Sequence, residues 1–113
     1  MQSITTDVAP ELTKISVAGR LDALAAPDLW AEINEAYNSG CYNLIIDLTW
    51  ASFVDSAGLA ALVRAMKQCR SHNADLKLVR PEDDSAFRVF ELTKFDSVFE
   101  FVKAESSEMS AAK

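Results

Sequence analysis

Apolar residues in this chain recur at two spacings that take turns, every second position and then every third or fourth. That alternation restricts the fold more than any other property of the sequence. Residues 4–8 and 12–18 alternate apolar and polar on either side of Ala9-Pro10-Glu11, which predicts an antiparallel pair of strands, the second closed by Gly19. Pro27 and Asp28 then suit a first helical turn. Leu29, Ile33, Ala36 and Tyr37 fall on one helical face, Trp30 sits at its edge, and Gly40 supplies the stop. Residues 44–48, Leu-Ile-Ile-Asp-Leu, form the nearly continuous apolar run of a strand buried on both faces. A second helix is expected from about residue 57 to 71, with Leu59, Leu62, Val63, Met66 and Cys69 inward and Arg64, Lys67, Gln68 and Ser71 toward water. Residues 76–79 read as a strand, and the acidic stretch 81–85 opens a short helix through Leu92. Residues 98–102 fit either an edge strand or a helix. Strands alternating with helices at this spacing predict an α/β sandwich whose mixed, mostly parallel sheet of four to five strands carries packed helices.

At 113 residues the chain holds one domain, expected over residues 1–102, followed by a polar tail at 103–113 that reads as a frayed helix or flexible end. The formal net charge is −6. An acidic surface cannot displace counterions from nucleic acid and is repelled by anionic lipid, so neither nucleic acid nor membrane is an expected partner. The first residues show no signal-peptide pattern, and Cys41 and Cys69 stand far apart without a CxxC. Reduced thiols in a cytoplasmic protein, with no metal site and no cofactor, are the expectation.

In parallel α/β sheets, binding sites collect where strands end and helices begin. The turn into the second helix reads Asp47-Leu-Thr-Trp-Ala-Ser-Phe-Val-Asp55-Ser56-Ala57-Gly58-Leu59. Either Asp55 or Ser56 is the helix N-cap, giving a side-chain oxygen to free N–H groups of the first turn. A hydroxyl at that place also suits a phosphoryl group, because the helix dipole and free N–H groups favour the added anion. Ala57 and Gly58 are small, which predicts close approach by another protein's active site.

The Asp47-Leu-Thr run, a four-residue spacer and Val54-Asp-Ser-Ala-Gly-Leu59 resemble the signature of the STAS superfamily, in its branch of anti-sigma-factor antagonists. Gly19-Arg-Leu-Asp22 and Phe90-Glu-Leu-Thr-Lys-Phe95 resemble two further motifs of that family, so the likeness runs over residues 4–102. It implies a partner-switching cycle. The unphosphorylated module binds a serine kinase that is also an anti-sigma factor and releases it once Ser56 is phosphorylated. A PP2C-type phosphatase resets it, and the free module is a monomer. By position, Asp22, Asp55, Ser56, Ala57 and Gly58 would form the partner-binding surface, with no catalytic residue of the chain's own. Three positions depart from the family pattern: Ala57 stands for a second hydroxyl residue, Arg20 for an acid, and Lys94 for a glycine at the end of the last helix.

Three other classes have weaker footing. A non-phosphorylated STAS scaffold, such as a subunit of a transport complex, would use the same surface for constant binding. A phospho-aspartate receiver wants an acidic pair where this chain has the single Asp22. An enzyme is not expected, since His72 is the one histidine and no glycine-rich phosphate loop is present.

Overall fold

The computed structural model describes residues 3–8 and 11–103. The tail at 104–113 therefore lies outside the described residues. Strand β1 (Ser3–Val8) pairs antiparallel with β2 (Thr13–Leu21), as the alternation predicts. Helix α1 (Ala26–Asn38) follows, with Pro27 in its first turn. Gly40, at φ +90°, donates its N–H to the Tyr37 carbonyl at 2.9 Å, so the chain turns out of α1 through a conformation that glycine enters without strain. Then come β3 (Leu44–Asp47), β4 (Ala51–Val54), α2 (Ser56–Ser71), β5 (Leu76–Val79), α3 (Asp84–Leu92), a single 3-10 turn (Phe95–Ser97) and β6 (Glu100–Val102).

The strand order is β1-β2-β3-β5-β6, and every pairing after the first is parallel. Residues 98–102 resolve in favour of a strand, since Glu100–Val102 pairs with β5. The sheet has six strands, one more than the upper expectation. The extra strand is β4, which lies inside the segment expected as the turn into the second helix, and its partner is the end of β2. Gly19 does not close β2. At φ +86° it makes a bulge with a register shift, and the strand continues to Leu21 against β4.

Alternate residues of the sheet, Ile15, Val17, Leu44, Ile46, Leu76 and Leu78, enter one core with Leu29 and Ile33 of α1, Leu59 and Leu62 of α2 and Phe90 of α3. Complete burial of each such aliphatic side chain contributes about 1.5–3 kcal/mol. The intervening positions turn to the other face of the sheet, where Lys14 pairs with Asp47 and Lys77 with Glu100. The two main helices are also tied to each other. The Tyr37 hydroxyl of α1 donates to the Ala65 carbonyl of α2 at 3.0 Å and lies 3.5 Å from the Cys69 sulfur.

Candidate functional site

The parallel register Leu21↔Val54 brings β2 and β4 to the same edge of the sheet, and the Asp55 N–H donates to the Leu21 carbonyl at 3.2 Å. The next residue on each strand is an aspartate. Pairing therefore sets the turn after Asp22 beside the start of α2, two segments 33 residues apart in sequence.

Asp55 is the N-cap of α2. Its backbone is extended (φ −103°, ψ −174°) and its Oδ1 accepts the Gly58 N–H at 2.9 Å. This settles which of the two residues caps the helix. Ser56 is the first helical residue, exposed, and its hydroxyl forms no hydrogen bond among the described residues. The helix begins there, one residue earlier than the periodicity predicts. Ser56 Oγ is thus a free hydroxyl at the positive end of a 16-residue helix, where an anion is favoured.

Asp22 spends its carboxylate on its own turn. Oδ1 accepts the N–H groups of Leu24 and Ala25, each at 3.1 Å, while Arg20 Nε reaches Oδ2 at 3.3 Å. The Ala25 N–H is the main reason its carboxyl is held below the usual range, with Arg20 and the Leu24 N–H adding to it. Arg20 also lies over the Phe53 ring at 4.3 Å, so this departure from the family pattern bonds the ends of β2 and β4.

Ala57 is partly exposed beside Ser56, but Gly58 is buried. A Cβ on Gly58 would meet the Leu21 carbonyl oxygen at 2.4 Å and the Leu21 side chain at 2.8 Å. The expectation that Gly58 is small to admit a partner is corrected: the residue is small because α2 sits directly on the end of β2. Of the five residues expected there, Ser56 is exposed and Asp22, Asp55 and Ala57 are partly exposed.

Lys94, which stands where the family pattern has a glycine, adopts the left-handed conformation that glycine favours, at φ +66°. Asp47 takes no part in the site; its Oδ1 accepts from the Thr49 N–H at 2.9 Å and from the Thr49 hydroxyl. His72 ends α2 stacked on Tyr42, with centroids 3.8 Å apart.

Two features of this region are not legible in the sequence. Leu24 is 87% exposed on the turn that Asp22 braces. It stands among apolar neighbours in Ala23-Leu24-Ala25-Ala26, a run that gives no sign of which member faces water. The second feature is a groove of about 600 Å³ along α2 that begins at Ser56 and has Phe95 of the 3-10 turn as its far wall. Among the described residues no group of three metal-ligating side chains converges, and no helix is long and apolar enough to cross a membrane.

Comparison with known proteins gives a consistent result. The model of the STAS domain matches residues 3–110. An anti-sigma-B factor antagonist of Listeria monocytogenes is 35% identical over 91 residues, covering 80% of this chain and 79% of that protein. Among solved structures, an anti-sigma factor antagonist from Mycobacterium paratuberculosis superposes with a TM-score of 0.81 at 22% identity, over 98% of this chain and 93% of that one. The Bacillus cell fate determinant SpoIIAA in its phosphorylated form gives 0.73 at 20% identity, over 96% and 99%. At these identities the two superpositions speak for the fold.

Proposed function

The chain belongs to the STAS domain family, and from that premise we propose that it is an anti-sigma-factor antagonist switched by phosphorylation of Ser56. Unphosphorylated, it binds a serine kinase that doubles as an anti-sigma factor. Phosphate transfer to Ser56 ends the complex, and a PP2C-type phosphatase restores the binding form. The observation that carries this reading is the division of labour at the start of α2. Asp55 caps the helix and leaves the Ser56 hydroxyl exposed and unbonded. That a relative of this fold has a phosphorylated form supports the same reading.

The direction of the switch follows from charge. Phosphoserine adds about −1.5 to −2 charges at neutral pH. The folded chain accepts them, because the N-terminus of α2 offers a partial positive charge and free N–H groups. A partner face shaped around a neutral hydroxyl meets instead a dianion flanked by Asp55 and Asp22. Repulsion and lost desolvation energy then act against the complex while the fold stays intact. The chain's own residues present an acceptor and supply no phosphate, so the nucleotide belongs to the kinase.

The test is incubation of the full chain with candidate serine kinases and Mg-ATP, followed by phosphosite mapping and by affinity measurement before and after transfer. Phosphate on Ser56 with weakened binding is the expected result. Phosphate on Thr49, Ser52 or Ser85 would move the switch elsewhere. A stable complex with no phosphate transfer would point to a constant scaffold.

A further inference from the structure

Helix α2 carries Arg64, Lys67 and Arg70 and no acidic residue, on a chain whose formal net charge is −6. Its inward side fills the core. Its outward side forms one wall of the groove that runs from Ser56 toward Ser71, the full length of the helix. Leu59, Val63 and Phe95 give the groove apolar surface, and its charged residues are Arg64 and Lys67 alone. Neither is paired with a carboxylate among the described residues. Arg64 leans over the Trp30 ring at 4.3 Å, a contact that leaves its charge uncompensated. An apolar furrow on an acidic protein is therefore edged by positive charge.

We infer that this groove docks an amphipathic α-helix of the protein partner, with aliphatic anchors at i, i+4 and i+7 and aspartate or glutamate beside them. The identity of the partner rests on the reading of Ser56 as a switch; the groove's chemistry does not. Sixteen residues of α2 span about 24 Å at 1.5 Å per residue, room for an incoming helix of three to four turns. Complementarity selects an acidic flank, because Arg64 and Lys67 face whatever lies there. A second copy docked symmetrically would set these cations against their own equivalents, since a two-fold interface apposes the same patch on both subunits. The groove starts at Ser56, so a helix held in it keeps the partner over the acceptor. Phosphate on Ser56 would then add negative charge at the entrance to a site that receives an acidic helix. This gives release a second physical cause.

Two probes test the inference on the full chain. The first is the kinase found to phosphorylate Ser56, held with Mg-ADP. Lys67→Glu should weaken its binding at least tenfold and flatten the salt dependence, whereas Arg88→Glu, the same charge change at an exposed position of α3, should leave affinity within twofold. The second probe is a pair of 15-residue synthetic helices with leucine at i, i+4 and i+7, flanked by glutamate in one and lysine in the other. The glutamate helix should shift the amide resonances of Ala60, Val63 and Lys67, and Lys67→Glu should abolish those shifts. If Lys67→Glu keeps full kinase affinity while Ser56 is still phosphorylated, the groove assignment fails and the switch stands. If no kinase modifies Ser56 but the glutamate helix binds selectively, the switch fails and the groove stands. Equal binding of both helices, or of neither, overturns the groove. So does a Lys67→Glu change in the sedimentation or melting of the chain alone, which would assign the occupant to a second copy or to residues 104–113.

Discussion

Gly58 of α2 and Leu21 of β2 stand so close that a Cβ on the glycine would lie 2.4 Å from the Leu21 carbonyl oxygen. That oxygen already accepts the Asp55 N–H, so neither backbone segment can yield alone. Gly58→Ala should therefore destabilise the fold, although alanine gains up to about 1 kcal/mol in helix propensity over glycine. Overpacking costs about 1–3 kcal/mol; a 2.4 Å contact with a backbone oxygen belongs at the upper end, so a net loss of about 2 kcal/mol is expected. For a domain of this size that corresponds to a fall in melting temperature of roughly 8–16 °C. A melting temperature equal to wild type would mean that α2 can slide away from β2 freely.

The cap and the acceptor should separate in mutagenesis. Asp55→Ala removes the oxygen that receives the Gly58 N–H and should cost about 1 kcal/mol, within the 0.5–2 kcal/mol range of lost N-caps. Ser56→Ala removes a hydroxyl that bonds to nothing among the described residues, so its stability should stay within about 0.5 kcal/mol of wild type. Under the proposed switch, that variant binds the kinase and accepts no phosphate. Denaturant titration of both variants beside wild type, with phosphate counting, checks both halves.

Lys94 holds φ +66°, a conformation that costs a residue with a Cβ about 1–2 kcal/mol. Glycine enters it freely but loses more chain entropy on folding, which offsets part of that gain. Lys94→Gly should accordingly stabilise the domain by about 0.5–1 kcal/mol, read as a higher denaturant midpoint at unchanged slope. A loss of stability would show that the lysine side chain contributes more than its backbone costs.

Residues that report on their own neighbourhood were legible in the sequence. The stripe of Leu29, Ile33, Ala36 and Tyr37 marks the buried face of α1, and the acid-serine pair places the start of α2 to within one residue. Features that depend on distant pairing were not. β4 has four residues, of which Ala51 and Ser52 favour no strand, and it exists because β2 continues past the Gly19 bulge to meet it. The reason for Gly58 lies in Leu21, 37 residues earlier, and nothing local distinguishes a glycine kept small for a strand end from one kept small for a partner. The groove needs Phe95 brought across from the segment after α3, which periodicity along α2 cannot show.

Tyr37 links pH to stability in a direction set by its burial. Burial foremost, with the Cys69 sulfur beside its hydroxyl, pushes its ionisation far above the ordinary value of 10.0. The unfolded chain can release this proton above about pH 10, while the folded chain retains it. The contribution of Tyr37 is therefore fully present below pH 10 and falls as pH rises beyond it, by up to about 1.4 kcal/mol per pH unit. Burial also raises the Cys69 thiol, which adds a loss of the same sign beginning near its ordinary value of 9.0. Tyr37→Phe keeps the ring, removes the hydrogen bond to the Ala65 carbonyl, and should cost about 1 kcal/mol at pH 8. It also removes the tyrosine's alkaline loss. The two stability curves should therefore converge above pH 10 and cross near pH 11, with wild type the less stable beyond. Urea denaturation at half-unit steps from pH 8 to 11.5 measures this. Parallel curves through pH 11 would show that the folded protein releases the Tyr37 proton as readily as the unfolded chain does.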